Sequence, residues 1–340
     1  MRNSVRTLFA LLLIALGLVA LAQETTQKEA SNPAPVGPPL STIKVPPPPL
    51  DPDAFRVSSN VDLVLLDVSV RGENGGFISN LQKSNFTVLD EGVEKPITVF
   101  SAQDAPVTVG LVVDNSGSVR SKKPEIVTAA LTFVKNSNPK DEMFVVNFND
   151  RVVMGLPPDV PFTGDTNLLR AALLSNPAQG RTALYDGLKL ALDHLKKGRL
   201  EKKTLVLISD GGDNSSEITH DEIIAAADRS LATIYTVGIF DAGDKDKNPG
   251  FLRELSRITG GESFIPQNTD NLVGICDKIA RDIRSRYTIG FEPSEPKSNG
   301  KPRRLRVIAT SPEGKKYDVR TRTHYVPAGS LTSKSREAAR

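Results

Sequence analysis

The sequence predicts an α/β protein. Its main part is a doubly wound, mainly parallel sheet with helices on both faces, joined by a small β-sandwich built from flanking N- and C-terminal strands. Three observations predict this. Within residues 105–286, apolar β-branched runs alternate with segments of helical period, which is the pattern of a parallel sheet covered on both sides. Residues 53–104 and 287–326 carry strand-like alternation and turn signals without helical period. Each of these β blocks is too small to be comfortable alone, so the simplest assembly is one sandwich into which the α/β domain is inserted.

Residues 1–22 read as a signal peptide. Arg2 and Arg6 precede the apolar run Leu8–Ala22, and Ala20-Leu21-Ala22 fits cleavage before Gln23. The protein is therefore expected to be exported, periplasmic or secreted, with no stable membrane span after cleavage. The alternative is an N-terminal membrane anchor, but the run is short for a bilayer and no basic cluster follows it. The only cysteine, Cys276, lies far from that site, which excludes a lipid anchor there. A lone thiol also leaves no intrachain disulfide, so the fold must stand on its core and any bound ion. Cys276 falls on a predicted helix, where a buried thiol is expected.

Residues 23–52, ending in "KVPPPPLDP", form a proline-rich linker with polyproline II character. Then come strands at Val61–Gly72 and two within Asn85–Phe100 about a "DEG" turn. Strands of the α/β block are Val107–Asp114, Glu142–Phe148, Lys203–Asp210 and Ala232–Ile239. Its helices are Thr182–Lys197, Thr219–Leu231, Asn248–Gly261 and Asn268–Arg286, the first with Leu184, Leu188, Leu192 and Leu195 on one face. Strands return at Tyr287–Pro293, Arg303–Thr310 and Lys316–Val326, and residues 327–340 are expected to be a disordered tail.

The 340 residues are 39% hydrophobic, enough for a core, and the formal net charge is only +3. So slight an excess does not call for nucleic acid as a partner. With no Trp and 5% aromatic residues, the chain also lacks stacking platforms for bases or sugars.

Loops at the carboxyl ends of parallel strands converge and bind ligands. Three such loops carry informative residues. "DNSGS" begins at Asp114, "GRTALYDG" places Thr182 at the head of a helix, and "SDGGD" holds Asp210. Together they would bring Asp114, Ser116, Ser118, Thr182 and Asp210 to one edge. All five are hard oxygen donors, which suits Mg²⁺, Mn²⁺ or Ca²⁺ and disfavours Zn²⁺ or Cu²⁺. Alternate spacing lets Ser116 and Ser118 address one ion, and Gly117 lets the backbone turn. Singly, each element reads as an ordinary cap or turn. Jointly they read as a metal site.

At these residues the sequence resembles the von Willebrand factor type A domain family. Its metal-ion-dependent adhesion site has D-x-S-x-S, a Thr in a second loop and an Asp in a third. Asp114-Asn115-Ser116-Gly117-Ser118, Thr182 and Asp210 match it with nothing missing, within about Ala105 to Arg286. The segment "SNLQKSNFTVLDEGVEKPITVF" resembles what precedes that domain in a bacterial, acidobacterial-type branch of exported proteins. The resemblance implies a non-enzymatic module that binds a protein partner, whose Asp or Glu completes the shell of the ion. It implies Ser116 and Ser118 as direct ligands, and Asp114, Thr182 and Asp210 as ligands directly or through water. In some members the last helix, here Asn268–Arg286, moves with the ligand set.

Other readings stay open. Asp186 reads as a helix-surface or supporting residue and Asp213 as loop polarity, both without roles. Asp241, Asp244 and Asp246 lie in an acidic loop expected to be solvated. A metal-assisted hydrolase, phosphatase-like, could use Asp114 as phosphoryl acceptor. Ser116 stands where such enzymes want a second acid, and no Lys is evident nearby. His194, His220 and His324 do not look poised beside a hydroxyl. A third reading is a structural envelope protein whose ion only stiffens the loops. The sequons at Asn85 and Asn214 carry little weight in a chain of bacterial character.

Overall fold

The computed structural model describes residues 63–240, 246–293 and 302–326. The expected signal peptide, linker and tail, with Asp241 and Asp244, lie outside them. Four strands come first: β1 (Val64–Arg71), β2 (Phe86–Asp90), β3 (Val93–Lys95) and β4 (Ile97–Ser101). The α/β part opens with β5 (Val107–Asp114), α1 (Lys123–Asn136), β6 (Glu142–Phe148), β7 (Val152–Met154), α2 (Thr166–Leu174) and α3 (Leu184–Leu195). It continues with β8 (Lys202–Ser209), α4 (His220–Arg229), β9 (Thr233–Gly238), α5 (Pro249–Thr259), β10 (Ser263–Phe264) and α6 (Leu272–Arg284). Last come β11 (Tyr287–Phe291), β12 (Arg303–Ala309), β13 (Asp318–Arg320) and β14 (His324–Tyr325). Among the described residues no helix is long and apolar enough to cross a membrane.

The central sheet has the order β10-β9-β8-β5-β6-β7, parallel except for β7. All of β5 is buried, as a strand covered on both faces must be. The chain leaves β5 for β6 on one side and returns as β8 on the other. Strand order therefore reverses at β5, and connections leaving such a point open a crevice at the carboxyl ends. Leu184, Leu188, Leu192 and Leu195 are buried together on α3. Thr219 caps α4, and its capping box with Glu222 satisfies the first-turn donors. Cys276 is buried in α6, where desolvation pushes its thiol up to about 12; it is inert.

Four elements were not read from the sequence. α1 follows a six-residue 3-10 segment, Gly117–Lys122, that blurs its start. α2 spans only nine residues, and β7 and β10 are edge strands of three and two residues. Each is too short or too irregularly entered for a clear period.

The flanking strands form two antiparallel four-stranded sheets, β13-β1-β11-β4 and β14-β12-β2-β3. Leu66, Val68 and Ile289 of one sheet share a core with Phe86, Val88 and Leu305 of the other. Two expected strands are each divided between the sheets. The strand after the "DEG" turn breaks at Pro96 into β3 and β4, because proline has no N–H for the ladder. Lys316–Val326 breaks into β13 and β14. Between them Arg322 turns inward, and its Nη2 donates to the carbonyl of Ser230 at 2.6 Å, at the end of α4. A cation there answers the carbonyl end of the helix.

A buried polar cluster joins the sandwich to the α/β part. Asp282 of α6 is 1% exposed. It accepts from Ser69 of β1, from the Tyr235 hydroxyl at 2.5 Å and from Arg286 Nη2 at 3.2 Å. Arg286 also donates to Tyr235 at 2.9 Å and to the carbonyl of Gly260 at 2.9 Å. Burial alone would raise the Asp282 carboxyl, but the Arg286 charge and the Ser69 and Tyr235 hydroxyls hold it below the usual range. Asp282→Asn leaves Arg286 buried without its counter-charge, and urea denaturation should read a loss of about 3–5 kcal/mol. A carboxyl depressed on folding stabilises fully above its unfolded pKa of about 4 and loses that contribution as pH falls further. The gap between wild type and Asp282→Asn should therefore be widest at neutral pH and narrow below about pH 4.

Candidate metal centre at the carboxyl edge of the sheet

β5 delivers Asp114 to the crevice with no exposed surface. One carboxylate oxygen accepts the Ser116 N–H at 2.8 Å, and the other accepts the Ser209 hydroxyl, at the end of β8, at 2.7 Å. Burial pushes this carboxyl above its usual range, against the pull of those hydrogen bonds and of the Lys123 charge. Ser116 Oγ lies 3.0 Å from Ser118 Oγ, which donates to Asp210 Oδ2 at 2.8 Å. Asp210 is fixed in turn by the Gly212 N–H at 2.9 Å. Ser116, Ser118, Asp210 and Thr182 line one cavity of about 200 Å³. Asp114 does not line it and reaches it through Ser116.

The ordinary roles for these hydroxyls are unfilled. Ser116 precedes the 3-10 segment but makes no side-chain cap. Thr182 sits one residue before the N-cap of α3, Ala183, so its hydroxyl caps nothing either. Gly117 is not the hinge that the sequence suggests. Its φ lies outside the left-handed region, and a Cβ there would meet only the Gly180 carbonyl, at an ordinary 3.5 Å. The constrained glycines of these loops are Gly180, with φ of +78° and the Asp150 carboxylate 2.6 Å from where a Cβ would stand, and Gly211, with φ of +79° and the Asn248 carbonyl at 2.5 Å.

Sequence reasoning missed the residues that hold these loops. Asn214 accepts the Thr182 N–H at 2.9 Å, and its own N–H donates to the Thr182 carbonyl at 3.0 Å. Asp213 and Asp186, left without roles above, pin the third loop to α3. Asp213 accepts from the Tyr185 N–H at 3.0 Å, and Asp186 accepts the Glu217 N–H at 2.9 Å. Asp246 is not simply solvated, since it lines the cavity and accepts from Asn214 Nδ2 at 3.2 Å. Lys123 is likewise close, contrary to expectation. Its ammonium donates to Asn115, and burial lowers its pKa to about 8 although Asp114 pulls it up. His194 and His220 sit among rings and surface acids. His324 does meet a hydroxyl, that of its neighbour Thr323 at 3.0 Å.

The donor set is two carboxylates and three hydroxyls, suited to a hard divalent cation. Among the described residues no group of three or more His, Cys, Asp or Glu side chains is placed to hold a metal, so any ion here relies on the hydroxyls.

Residues 109–212 match the family model of the von Willebrand factor type A domain, a span that holds all five site residues. An uncharacterized protein of Borreliella burgdorferi is 40% identical over 98 residues, covering 24% of this chain and 29% of that protein. An uncharacterized protein of Synechocystis is 29% identical over 147 residues, covering 42% of this chain and 34% of that one. This chain thus spans about a third of the length of the curated relatives it matches. A von Willebrand factor type A structure from Catenulispora acidiphila shares 16% identity over 74% of this chain and 77% of that chain, with a TM-score of 0.48. The vWF domain of the type V pili tip protein Mfa5 from Porphyromonas gingivalis shares 17% identity over 53% and 95%, with a TM-score of 0.45. Proximal thread matrix protein 1 of mussel byssus, with a zinc occupied MIDAS motif, shares 17% identity over 56% and 48%, also at 0.45.

Gly117 and Gly180 give a direct check on this geometry. Gly117→Ala should change stability by no more than about 0.5 kcal/mol. Gly180→Ala, forced into a left-handed backbone against Asp150, should cost at least about 1–2 kcal/mol. Thermal unfolding of both variants reads the difference.

Proposed function

We propose that this chain is an exported, divalent-metal-dependent protein-binding module. Asp114, Ser116, Ser118, Thr182 and Asp210 would hold the ion, and an Asp or Glu of a protein partner would complete its shell. The observation that carries the reading is the run Ser116–Ser118–Asp210, linked at 3.0 and 2.8 Å in one cavity with Thr182. These side chains already hold one another in place, and Asp210 also accepts the Gly212 N–H. When bound, the ion supplies an electrophilic position for an incoming carboxylate, because two protein carboxylates at most neutralise it. Asp114 orients Ser116 through its N–H, and Asn214 grips Thr182 on both sides of its peptide unit. Export rests on the composition of residues 1–22.

Calorimetric titration with Mg²⁺, Mn²⁺, Ca²⁺ and Zn²⁺ tests the ion, and Asp114→Ala should weaken binding by about 10–100-fold. Capture of a partner from an envelope fraction should then require metal and fail in EDTA. Equal capture with and without chelator would sink the adhesive reading. A rise in Tm with metal, but no chelator-sensitive partner, would leave a purely stabilising ion.

The proximity of Lys123 to Asp114 favours a second reading, metal-assisted phosphoryl transfer, more than the sequence did. Against it, the Lys123 ammonium is spent on Asn115, and position 116 is a serine. Pure protein with Mg²⁺ should therefore turn over neither generic phosphate nor ester substrates, and metal-dependent turnover abolished by Asp114→Ala would reverse the ranking.

A further inference from the structure

A second cavity, of about 420 Å³, shares no residue with the first and lies where α5 and the turn after it face β13. Its polar lining is rich in donors. Arg253 and Arg257 stand one helical turn apart on α5, so they share a face. Both are exposed, and neither makes an ion pair among the described residues. Arg320 comes from the opposite wall, where it already pairs with Glu262 at 2.8 Å and Asp318 at 3.6 Å. The one carboxylate present, Glu262, is already answered. Arg71 holds both its oxygens, one at 2.9 Å, Arg320 reaches it at 2.8 Å and Lys278 at 3.7 Å.

The hydroxyls of Ser263 and Thr321 in this lining are buried without a hydrogen-bond partner, and so is Nε of Arg71, which grips Glu262. Only two other buried side-chain atoms among the described residues lack a partner, Asn176 Nδ2 and Tyr325 Oη. A buried polar group left unpaired is costly, and a cluster of them marks a place where water, an ion or a ligand belongs. Waters would satisfy the hydroxyls one at a time. They would not answer the charge of the two α5 guanidiniums, which make no ion pair among the described residues.

We propose that this cavity is a binding site for a tetrahedral oxyanion, a phosphate group carried by a small molecule or a lipid headgroup. A planar carboxylate would engage one guanidinium fork. A phosphate offers acceptors in several directions, toward Arg253 and Arg257 at once, with Arg320 on the facing wall. The hydroxyls of Ser263 and Thr321 would donate to it once a turn about χ1 brings them into the cavity their residues line. The assignment does not rest on the metal centre.

The test uses the full chain in EDTA at low salt, which removes any contribution from the metal centre. Inorganic phosphate and glycerol 3-phosphate are titrated by calorimetry. Co-flotation with vesicles of phosphatidylcholine, with or without phosphatidylglycerol, tests the lipid source. Saturable one-to-one binding of a free phosphate assigns a soluble ligand. Binding only to the anionic vesicles assigns a headgroup. In either case Arg253→Ala/Arg257→Ala should weaken binding about tenfold or more, while the double Lys variant keeps part of it. Thr321→Val removes an unpartnered hydroxyl, so it should leave the ligand-free Tm unchanged or higher and weaken binding about fivefold. No saturable binding in any arm, or a double Ala variant that binds like wild type, overturns the proposal.

Discussion

The buried carboxylate of Asp114 is the constraint on which the carboxyl edge of the sheet depends. A charge taken out of water must be answered by hydrogen bonds, and those available come from two different segments, Ser116 in its own loop and Ser209 at the end of β8. Satisfying the acid therefore fixes the first loop to the third. The neighbouring Asn115 extends the tie the other way, donating to Asn147 of β6 at 2.9 Å while its N–H meets the Phe148 carbonyl at 2.7 Å. The apolar core packs the strands, and this short polar run across their ends sets where the loops begin.

Much of this was legible because the signals were redundant. β5 and β6 fall within the residues read from the sequence, since an unbroken apolar run bounded by polar residues has one reading in an alternating chain. The sequence singled out residues on three loops, and the loops after β5 and β8 meet the loop before α3 so that Ser116, Ser118, Asp210 and Thr182 share one cavity. What escaped was whatever depends on contact between distant segments. No local pattern says that Asn214 will clasp Thr182, that Asp186 will hold Glu217, or that Lys123 will turn back onto Asn115. Gly117 was misread because glycine's composition signal is silent about which glycine in a neighbourhood takes the left-handed backbone. Here Gly180 and Gly211 take it.

The junction between the sandwich and the α/β part is polar, and its members are unequal. Asp282 and Arg286 are closed on each other, with Tyr235 and Ser69 filling the remaining valences. Nearby, Glu262 draws three cations and leaves Arg71 with an idle donor. The first arrangement fixes the orientation of α6 against β1. The second gathers three cations on one carboxylate, with Asp282 and Asp318 at 3.9 and 3.6 Å from Arg71 and Arg320, beside a concave surface that Arg253 and Arg257 also line.

The pairing of β1 with β11, Val64 opposite Phe291, has a consequence for how the molecule is made. A ribosome releases β1 and β2 long before β11 and β12 exist, with an interval on the order of ten seconds at ordinary elongation rates. During that time the early strands keep raw edges, which invite pairing with other chains. The α/β lobe, whose strands pair among themselves, can condense meanwhile. The sandwich is then the last part to zip, its late strands holding its early ones in place.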